Sequence, residues 1–200
     1  MKRLLILLVF GSIFLSGCTR HPEIKNLKHP ITRIVCFGDS LTAGEGAGEG
    51  EDYPAVLSRL TGKETINAGV SGDTTADALK RIEKDVLEWD PNLVIVLLGG
   101  NDFLQKIPQK ETFRNIEKIV DLIQAKGAAV VLVEVRTGLL KDPYLSSFKD
   151  IARQKGALLV PDILSGIITN PDLVSDGLHP NAKGYQKMAQ RIYQRIKPYL

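Results

Sequence analysis

One serine, one histidine and one aspartate stand in settings that together supply an activated oxygen nucleophile. Ser40 lies in the run Phe37-Gly-Asp-Ser-Leu-Thr42, directly after an apolar stretch, and Asp176 and His179 are three residues apart far downstream. A hydroxyl at its free pKa is a weak nucleophile, so it needs a base within hydrogen-bond reach and a group that orients that base. One short loop can present Asp176 and His179 together. The pattern predicts a serine hydrolase.

The stretch before Ser40 predicts where the serine lies in a fold. Ile31–Phe37 is apolar and rich in β-branched residues, and Gly38 and Asp39 interrupt it, which indicates a buried strand that runs into a turn. Ligands of open parallel α/β sheets bind outside the carboxyl ends of the strands. Ser40 is therefore expected at the mouth of a crevice. The alternative is that Ser40 only caps a following helix, since serine is a favoured N-cap.

Apolar runs and amphipathic stretches alternate along the chain and predict a single α/β domain. Strands are expected over Ile31–Phe37, Glu64–Asn67, Leu93–Leu98, Ala128–Val135 and Ala157–Val160. Helices are expected over Tyr53–Leu60, Thr75–Glu88, Glu111–Lys126, Asp142–Lys155 and Asn181–Lys197. Because the strands are nearly continuous runs of Val, Ile and Leu, they favour a parallel sheet covered on both faces.

Two further loops follow the second and third predicted strands and carry small and polar residues. Gly72 lies in the stretch Asn67–Thr74, and Asn101 lies in Gly99–Asp102. Acyl transfer needs hydrogen-bond donors aimed at the oxyanion of the tetrahedral intermediate. The backbone N–H groups of Ser40 and Gly72 and the side-chain amide of Asn101 are the candidate donors. Taken singly, Gly72 and Asn101 are equally consistent with turn residues.

The N-terminus predicts a lipid-anchored protein. A basic head is followed by the apolar stretch Leu4–Phe14, which is short for a bilayer span, and then by Leu-Ser-Gly-Cys18. This site resembles the lipobox of bacterial lipoproteins, in which the cysteine is acylated. The predicted organisation is a leader over 1–18, a tether over 19–30 and one domain over 31–200. An ordinary signal peptide or an uncleaved anchor is the alternative.

The anchor prediction bears on location and on cysteine chemistry. Thr19 is not the aspartate that resemblance links to inner-membrane retention, so we expect outer-membrane anchoring, on the periplasmic side, in a host with two membranes. With Cys18 acylated, Cys36 has no partner for a disulfide and is expected to be a buried, inert thiol.

The charge balance argues against nucleic acid as a partner. Of the 26 Lys and Arg residues two lie in the leader, and the remaining 24 face 23 acidic residues. The mature chain is therefore nearly neutral and has no basic footprint.

In combination, four blocks of this chain resemble the SGNH (GDSL) hydrolases. The blocks are Gly38-Asp39-Ser40-Leu41, Ser71-Gly72-Asp73, Gly100-Asn101-Asp102 and Asp176-x-x-His179. The resemblance implies a flavodoxin-like three-layer α/β/α sandwich around a five-stranded parallel sheet, with no metal and no organic cofactor. It also implies Ser40 as nucleophile, His179 as base and Asp176 as the partner of His179, with Ser40, Gly72 and Asn101 forming the oxyanion hole.

The longer phrases around these blocks are similar to the arylesterase and acyl-CoA thioesterase/lysophospholipase branch. We therefore expect an esterase or thioesterase for small or medium acyl substrates, lysophospholipids among the candidates. Leu139 and Leu140 are candidate walls for an acyl chain, or else ordinary packing residues. The glycine-rich acidic stretch 44–52 is expected at the crevice mouth. The rival hypotheses are a carbohydrate O-acetylesterase and a catalytically silent binding lipoprotein. The sequence leaves the oligomeric state open.

Overall fold

Five parallel strands form the centre of the domain. The computed structural model describes residues 23–27, 30–136 and 143–200. The strands in this part of the chain are β1 (Arg33–Gly38), β2 (Glu64–Gly69), β3 (Leu93–Leu97), β4 (Ala129–Val133) and β5 (Leu158–Val160). They pair in the order β2-β1-β3-β4-β5, and every pairing is parallel. This is the flavodoxin-like strand order, and the predicted fold class is confirmed.

Seven helices connect or follow the strands of the described chain. They are α1 (Ser40–Ala43), α2 (Tyr53–Thr61), α3 (Thr75–Asp85), α4 (Gly100–Leu104), α5 (Gln109–Ala125), α6 (Pro143–Lys155) and α7 (Ala182–Ile196). The helix predicted to reach Glu88 ends at Asp85, because the chain leaves helical geometry at Val86 and continues as a 3₁₀ turn. The short helices α1 and α4 were not predicted, since four or five residues are too few to show a helical period.

The two faces of the sheet bury separate sets of apolar side chains. Along β3, Leu93, Ile95 and Leu97 belong to the cluster with α2 and α7, whereas Val94 and Val96 belong to the cluster with α3, α5 and α6. Alternate residues of a strand point to opposite faces, so a strand covered on both sides is apolar throughout. The result is three layers, with helices on each side of the sheet.

The first described segment, residues 23–27, packs on the domain at the edge where strands begin. Ile24 is buried in the cluster with α2 and α7. The backbone N–H of Lys25 donates to the carbonyl of Gly156 at 2.9 Å, and the side-chain amide of Asn26 donates to the carbonyl of Gln124 at 2.7 Å. Part of the stretch predicted as a tether is thus docked on the domain.

The predicted leader, with Cys18, lies outside the described residues. Within the described ranges, no helix has the length and apolar character needed to cross a bilayer. Cys36 lies in β1 as a buried free thiol, and burial raises its pKa well above the ordinary value. A thiol held in its protonated form is a poor nucleophile, as expected for a packing residue.

Candidate active site

Ser40, His179 and Asp176 lie in one hydrogen-bonded line at the carboxyl ends of the strands. His179 Nε2 is 3.1 Å from Ser40 Oγ, and His179 Nδ1 is 2.8 Å from Asp176 Oδ2. An ionised Asp176 accepts a hydrogen bond from the Nδ1–H of His179, which leaves the lone pair of Nε2 facing the serine hydroxyl. The arrangement therefore has the geometry of a nucleophile, a general base and an orienting carboxylate.

The turn from β1 into α1 presents Ser40 to solvent. Asp39 is the N-cap of α1, and its side-chain oxygen Oδ1 accepts a hydrogen bond from the backbone N–H of Leu41 at 3.1 Å. The helix-cap alternative for Ser40 is therefore wrong: the cap is Asp39, and Ser40 is the first helical residue. A side chain at Gly38 would place its Cβ 2.5 Å from the carbonyl oxygen of Leu97, so this tight approach requires glycine.

A closed loop holds the other two side chains. Asp176 Oδ1 accepts hydrogen bonds from the backbone N–H groups of Leu178, at 2.9 Å, and of His179, at 2.7 Å. The N–H of Ser175 donates to the carbonyl of His179 at 2.9 Å and closes the loop. The hydrogen bonds that Asp176 accepts, first from the His179 side chain, lower its pKa well below the ordinary range. Asp176 therefore stays ionised wherever His179 is a useful base.

The two remaining predicted donors follow β2 and β3: Gly72 lies in the loop after β2, and Asn101 lies in α4, which begins soon after β3. The side-chain amide of Asn101 donates one hydrogen to the carbonyl of Asp73 at 2.9 Å. This bond fixes the amide plane and leaves its second hydrogen for a ligand. Gly72 directly precedes Asp73 and has φ +86°, a conformation that favours glycine. The loops with Gly72 and Asn101 are thus tied together, and their oxyanion role stays a prediction.

The strand order explains why these loops meet. β1 lies between β2 and β3, and the chain turns to opposite sides of the sheet after β1 and after β2. In open α/β sheets the crevice forms at this switch point. Ser40 follows β1 and Asn101 follows β3, so both flank the crevice.

Arg81 is a supporting residue that the sequence did not single out. Its guanidinium donates to the carbonyl groups of Gly38 and Ala68, both at 3.0 Å, and to the carboxylate of Asp73 at 2.6 Å. It also lies 4.6 Å from the ring centroid of Phe37, within cation–π range. One half-buried arginine therefore fixes the ends of β1 and β2 and the loop that carries Gly72. The same helix also carries Lys80 and Lys84, and nothing in the sequence distinguishes Arg81 from them.

A cavity of about 240 Å³ opens beside Ser40, Asn101 and His179. Its remaining walls are mostly apolar, and the side chains concerned are Leu41, Phe103, Leu104, Val135, Leu164, Ile168 and Leu178. Three of them are unusually exposed for large apolar residues: Phe103 at 45%, Leu178 at 53% and Leu104 at 59%. An apolar cleft with a few convergent polar groups is the usual form of a small-molecule site.

The role of Leu139 and Leu140 as walls for an acyl chain stays a prediction. Leu139 and Leu140 lie outside the described residues. Among the described residues, the lining includes none of 44–52. That acidic stretch packs instead against the loop of His179, where Gly46 lies close to Ser175 and the Tyr185 hydroxyl donates to the carbonyl of Glu45 at 2.8 Å. It borders the edge of the sheet that carries Ser40 and His179, called the catalytic edge below, and does not enter the cavity.

The rest of the described surface offers no competing centre. Within the described ranges, no group of three or more His, Cys, Asp or Glu side chains is placed to hold a metal ion. A larger open groove of about 1200 Å³ runs along α7, lined in part by Lys187, Arg191 and Arg195, and contains none of the predicted site residues. A shallow groove without a nucleophile beside a base cannot perform acyl transfer.

Known proteins are similar to this chain in sequence and in fold. Residues 36–187 match the model of the GDSL-like Lipase/Acylhydrolase family. An arylesterase of Vibrio mimicus is 30% identical over 84% of this chain and 90% of its own length. Thioesterase 1/protease 1/lysophospholipase L1 of Escherichia coli K12 is 25% identical over 82% of this chain and 83% of its own.

Solved structures agree with the sequence comparisons. The psychrotrophic esterase EstA of Pseudoalteromonas sp., solved with a monoethylphosphonate inhibitor, superposes with a TM-score of 0.75 at 29% identity. The match covers 84% of this chain and 98% of EstA. Since the family model spans three quarters of the sequence and includes every block of the site, the chain belongs to the GDSL-like lipase/acylhydrolase family and is a serine hydrolase of ester bonds.

Proposed function

We propose that this enzyme hydrolyses carboxylic esters of medium-length acyl chains through an acyl-enzyme on Ser40. The observation that carries the proposal is the 3.1 Å approach of His179 Nε2 to Ser40 Oγ at the wall of an apolar cavity. The cavity, about 240 Å³ in volume, is walled mostly by apolar side chains. An acetyl group alone would leave most of the apolar wall uncovered.

The residues support a two-step reaction. His179 takes the proton of the Ser40 hydroxyl while Oγ attacks the ester carbonyl, and the N–H groups of Ser40 and Gly72 with the amide of Asn101 receive the oxyanion. The leaving alcohol or thiol takes the proton from His179 as the carbonyl re-forms. Water, deprotonated by His179, then attacks the acyl-enzyme, and the carboxylic acid leaves with Ser40 restored. Each buried methylene stabilises binding by about 0.8 kcal/mol.

Lysophospholipids are candidate substrates because they present one acyl ester beside a small polar head. The Escherichia coli relative carries lysophospholipase in its name. The rival, a carbohydrate O-acetylesterase, would use the same triad but has no need of the seven apolar wall residues. A silent binding protein would have no need of the aligned Ser40 and His179. The wall therefore favours the esterase with an acyl cavity.

We also propose that Cys18 is acylated and holds the enzyme on the cell envelope. The support is the short apolar leader followed by Leu-Ser-Gly-Cys18. In a host with two membranes, the outer membrane is the proposed site, with the domain on the periplasmic side. The test is metabolic labelling with a fatty acid, which we expect to mark the wild-type chain and not Cys18→Ser.

The activity is tested with p-nitrophenyl esters from acetate to palmitate. We expect kcat/KM to rise by about three- to fourfold per methylene up to medium chains, which corresponds to about 0.8 kcal/mol each, and then to fall. Ser40→Ala should abolish hydrolysis and labelling by an organophosphonate probe. Ser165→Ala, an exposed serine away from the triad, is the matched control. Activity confined to acetate would instead favour the O-acetylesterase, and labelling that persists in Ser40→Ala would refute the nucleophile.

A further inference from the structure

The chain enters the domain on the edge opposite the active site. The N–H of Lys25 donates to the carbonyl of Gly156, two residues before β5 begins, and the amide of Asn26 also reaches the carbonyl of Ala128 directly before β4, at 3.2 Å. Ser40 follows the carboxyl end of β1. All five strands are parallel. The entry segment and the nucleophile therefore lie at opposite ends of the sheet.

The chain between the entry segment and Cys18 is short. Glu23 is the first described residue, and it stands five residues after Cys18. At about 3.6 Å per residue, five fully extended residues span about 18 Å. A compact domain of this size has a radius of gyration of about 15 Å and hence a diameter of about 40 Å. For the edge with Ser40 to face the leaflet that holds the anchor, the lipid on Cys18 would have to lie beyond that edge. The segment between Cys18 and Glu23 is too short to reach there.

The acidic side chains at the edge that carries the active site also disfavour an orientation in which this edge faces the membrane. Glu45, Glu49 and Glu51 are exposed on the loop that packs against the loop of His179. Acidic side chains within a Debye length, about 8 Å at physiological salt, are repelled by an anionic lipid surface. The exposed apolar residues Phe103 and Leu178 already line the acyl cavity.

We infer that the enzyme, anchored through Cys18, works with its catalytic edge turned away from the leaflet that holds the anchor. Its substrates are then acyl esters that reach the cavity from the aqueous side, and esters embedded in its own leaflet are excluded by geometry. This inference rests on the proposed esterase activity of Ser40 and on the proposed acylation of Cys18. It restricts the place from which a substrate comes, and leaves the chemistry of the acyl group as proposed.

The test compares one ester in two locations. The full-length acylated protein is reconstituted in vesicles of phosphatidylcholine and phosphatidylglycerol. One substrate is soluble umbelliferyl octanoate, and the other is the same octanoyl ester joined by a short linker to phosphatidylethanolamine in the same vesicles. The comparison variant carries about 30 Gly and Ser residues between Thr19 and Arg20, which adds a mean reach of about 30 Å and lets the domain turn over.

We expect both proteins to hydrolyse the soluble ester at the same rate, and the lengthened variant to hydrolyse the lipid-linked ester at least tenfold faster than the wild type. Equal rates on the lipid-linked ester would overturn the orientation and would mean that the apolar rim docks on the bilayer. Cys18→Ser should stay off the vesicles; its retention would overturn the anchor on which the orientation depends. Failure of both proteins on the soluble ester would instead refute the esterase proposal itself.

Discussion

The carboxylate of Asp102 accepts two hydrogen bonds from Thr75, one from the backbone N–H at 2.9 Å and one from the hydroxyl at 2.6 Å. Asp102 is completely buried. It directly follows Asn101 in α4, and Thr75 is the first residue of α3, just after the loop of Gly72. The pair therefore locks together the two loops that carry the proposed oxyanion donors.

We predict that Asp102→Asn lowers kcat by about ten- to a hundredfold while KM changes little. Asparagine keeps only one acceptor oxygen for the two donors of Thr75, so one of the two hydrogen bonds that join the loops is lost or reversed, and the oxyanion donors lose part of their aim. The free energy of unfolding should fall by about 2 kcal/mol. Steady-state kinetics and urea unfolding measure the two effects. The control is Asp77→Asn, in the first turn of α3, the helix that begins with Thr75. An equal loss of kcat in this variant would show that general destabilisation is responsible.

Asp176→Asn tests the tautomer of His179. The amide can still accept from the backbone of Leu178 and His179, but its NH₂ group faces Nδ1. The imidazole then carries its proton on Nε2 and cannot accept the proton of Ser40. We expect kcat to fall by about 10²- to 10⁴-fold with the fold unchanged. Asp172→Asn, an exposed acid just upstream, should leave kcat within twofold of the wild type, and comparable losses in both variants would argue against an orienting role for Asp176.

The positions of the serine, the aspartate and the histidine in the fold could be predicted because each lies in a recognisable local pattern at the end of a strand or in a loop. Ser40 follows an apolar run, and Asp176 and His179 share one loop. The pairing of β1 with β3 could not be read from periodicity, because strand order depends on contacts across the whole chain. The resemblance supplied the fold class, a flavodoxin-like sandwich around a five-stranded parallel sheet, and the structure supplied the pairing. Arg81 and Asp102 were missed for the same reason: their partners lie on other elements, and an arginine or aspartate alone predicts no partner.

The cavity wall was missed for a different physical reason. Leu164 and Ile168 lie in the irregular stretch between β5 and α7, where no period assigns side chains to a face. The neighbouring residues Ile163 and Ile167 have the same apolar character but are fully buried in the core. The three-dimensional structure is needed to tell which of these apolar residues pack in the core and which line the cavity.

A larger side chain in the wall should shorten the preferred acyl chain. We predict that Ile168→Trp lowers kcat/KM for the octanoyl ester by more than tenfold and for the acetyl ester by less than threefold, because the added ring occupies cavity volume that only the longer chain needs. A methylene-sized misfit in an apolar pocket costs about 1–3 kcal/mol. Leu60→Trp, at a partly exposed position on α2 outside the cavity, is the control. A uniform loss on both esters would place the acyl chain elsewhere.

Asp39 gives the stability of the domain a pH dependence of unusual sign. Burial raises the pKa of its carboxyl from 3.8 to about 7, although the N–H of Leu41 donates to it. Between about pH 4 and pH 7 the folded chain therefore holds a proton that the unfolded chain has released. The free energy of unfolding must fall as the pH rises through this interval and level off above pH 7.

Asp39→Asn removes this titration and keeps a side chain that caps α1 well. In urea unfolding from pH 4 to 8, we expect the wild type to lose on the order of 4 kcal/mol relative to Asp39→Asn between pH 4 and pH 7. Asp77 provides a contrast, because hydrogen bonds from Lys80 and Thr74 lower its pKa to about 2. Its contribution is present above about pH 4 and is lost as the pH falls toward 2. The stability difference between the wild type and Asp77→Asn should therefore stay constant from pH 4 to 8 and shrink only when the series is extended below pH 4. Parallel profiles for the wild type and Asp39→Asn would mean that Asp39 is ionised throughout and that the protein or solvent around it supplies compensating donors.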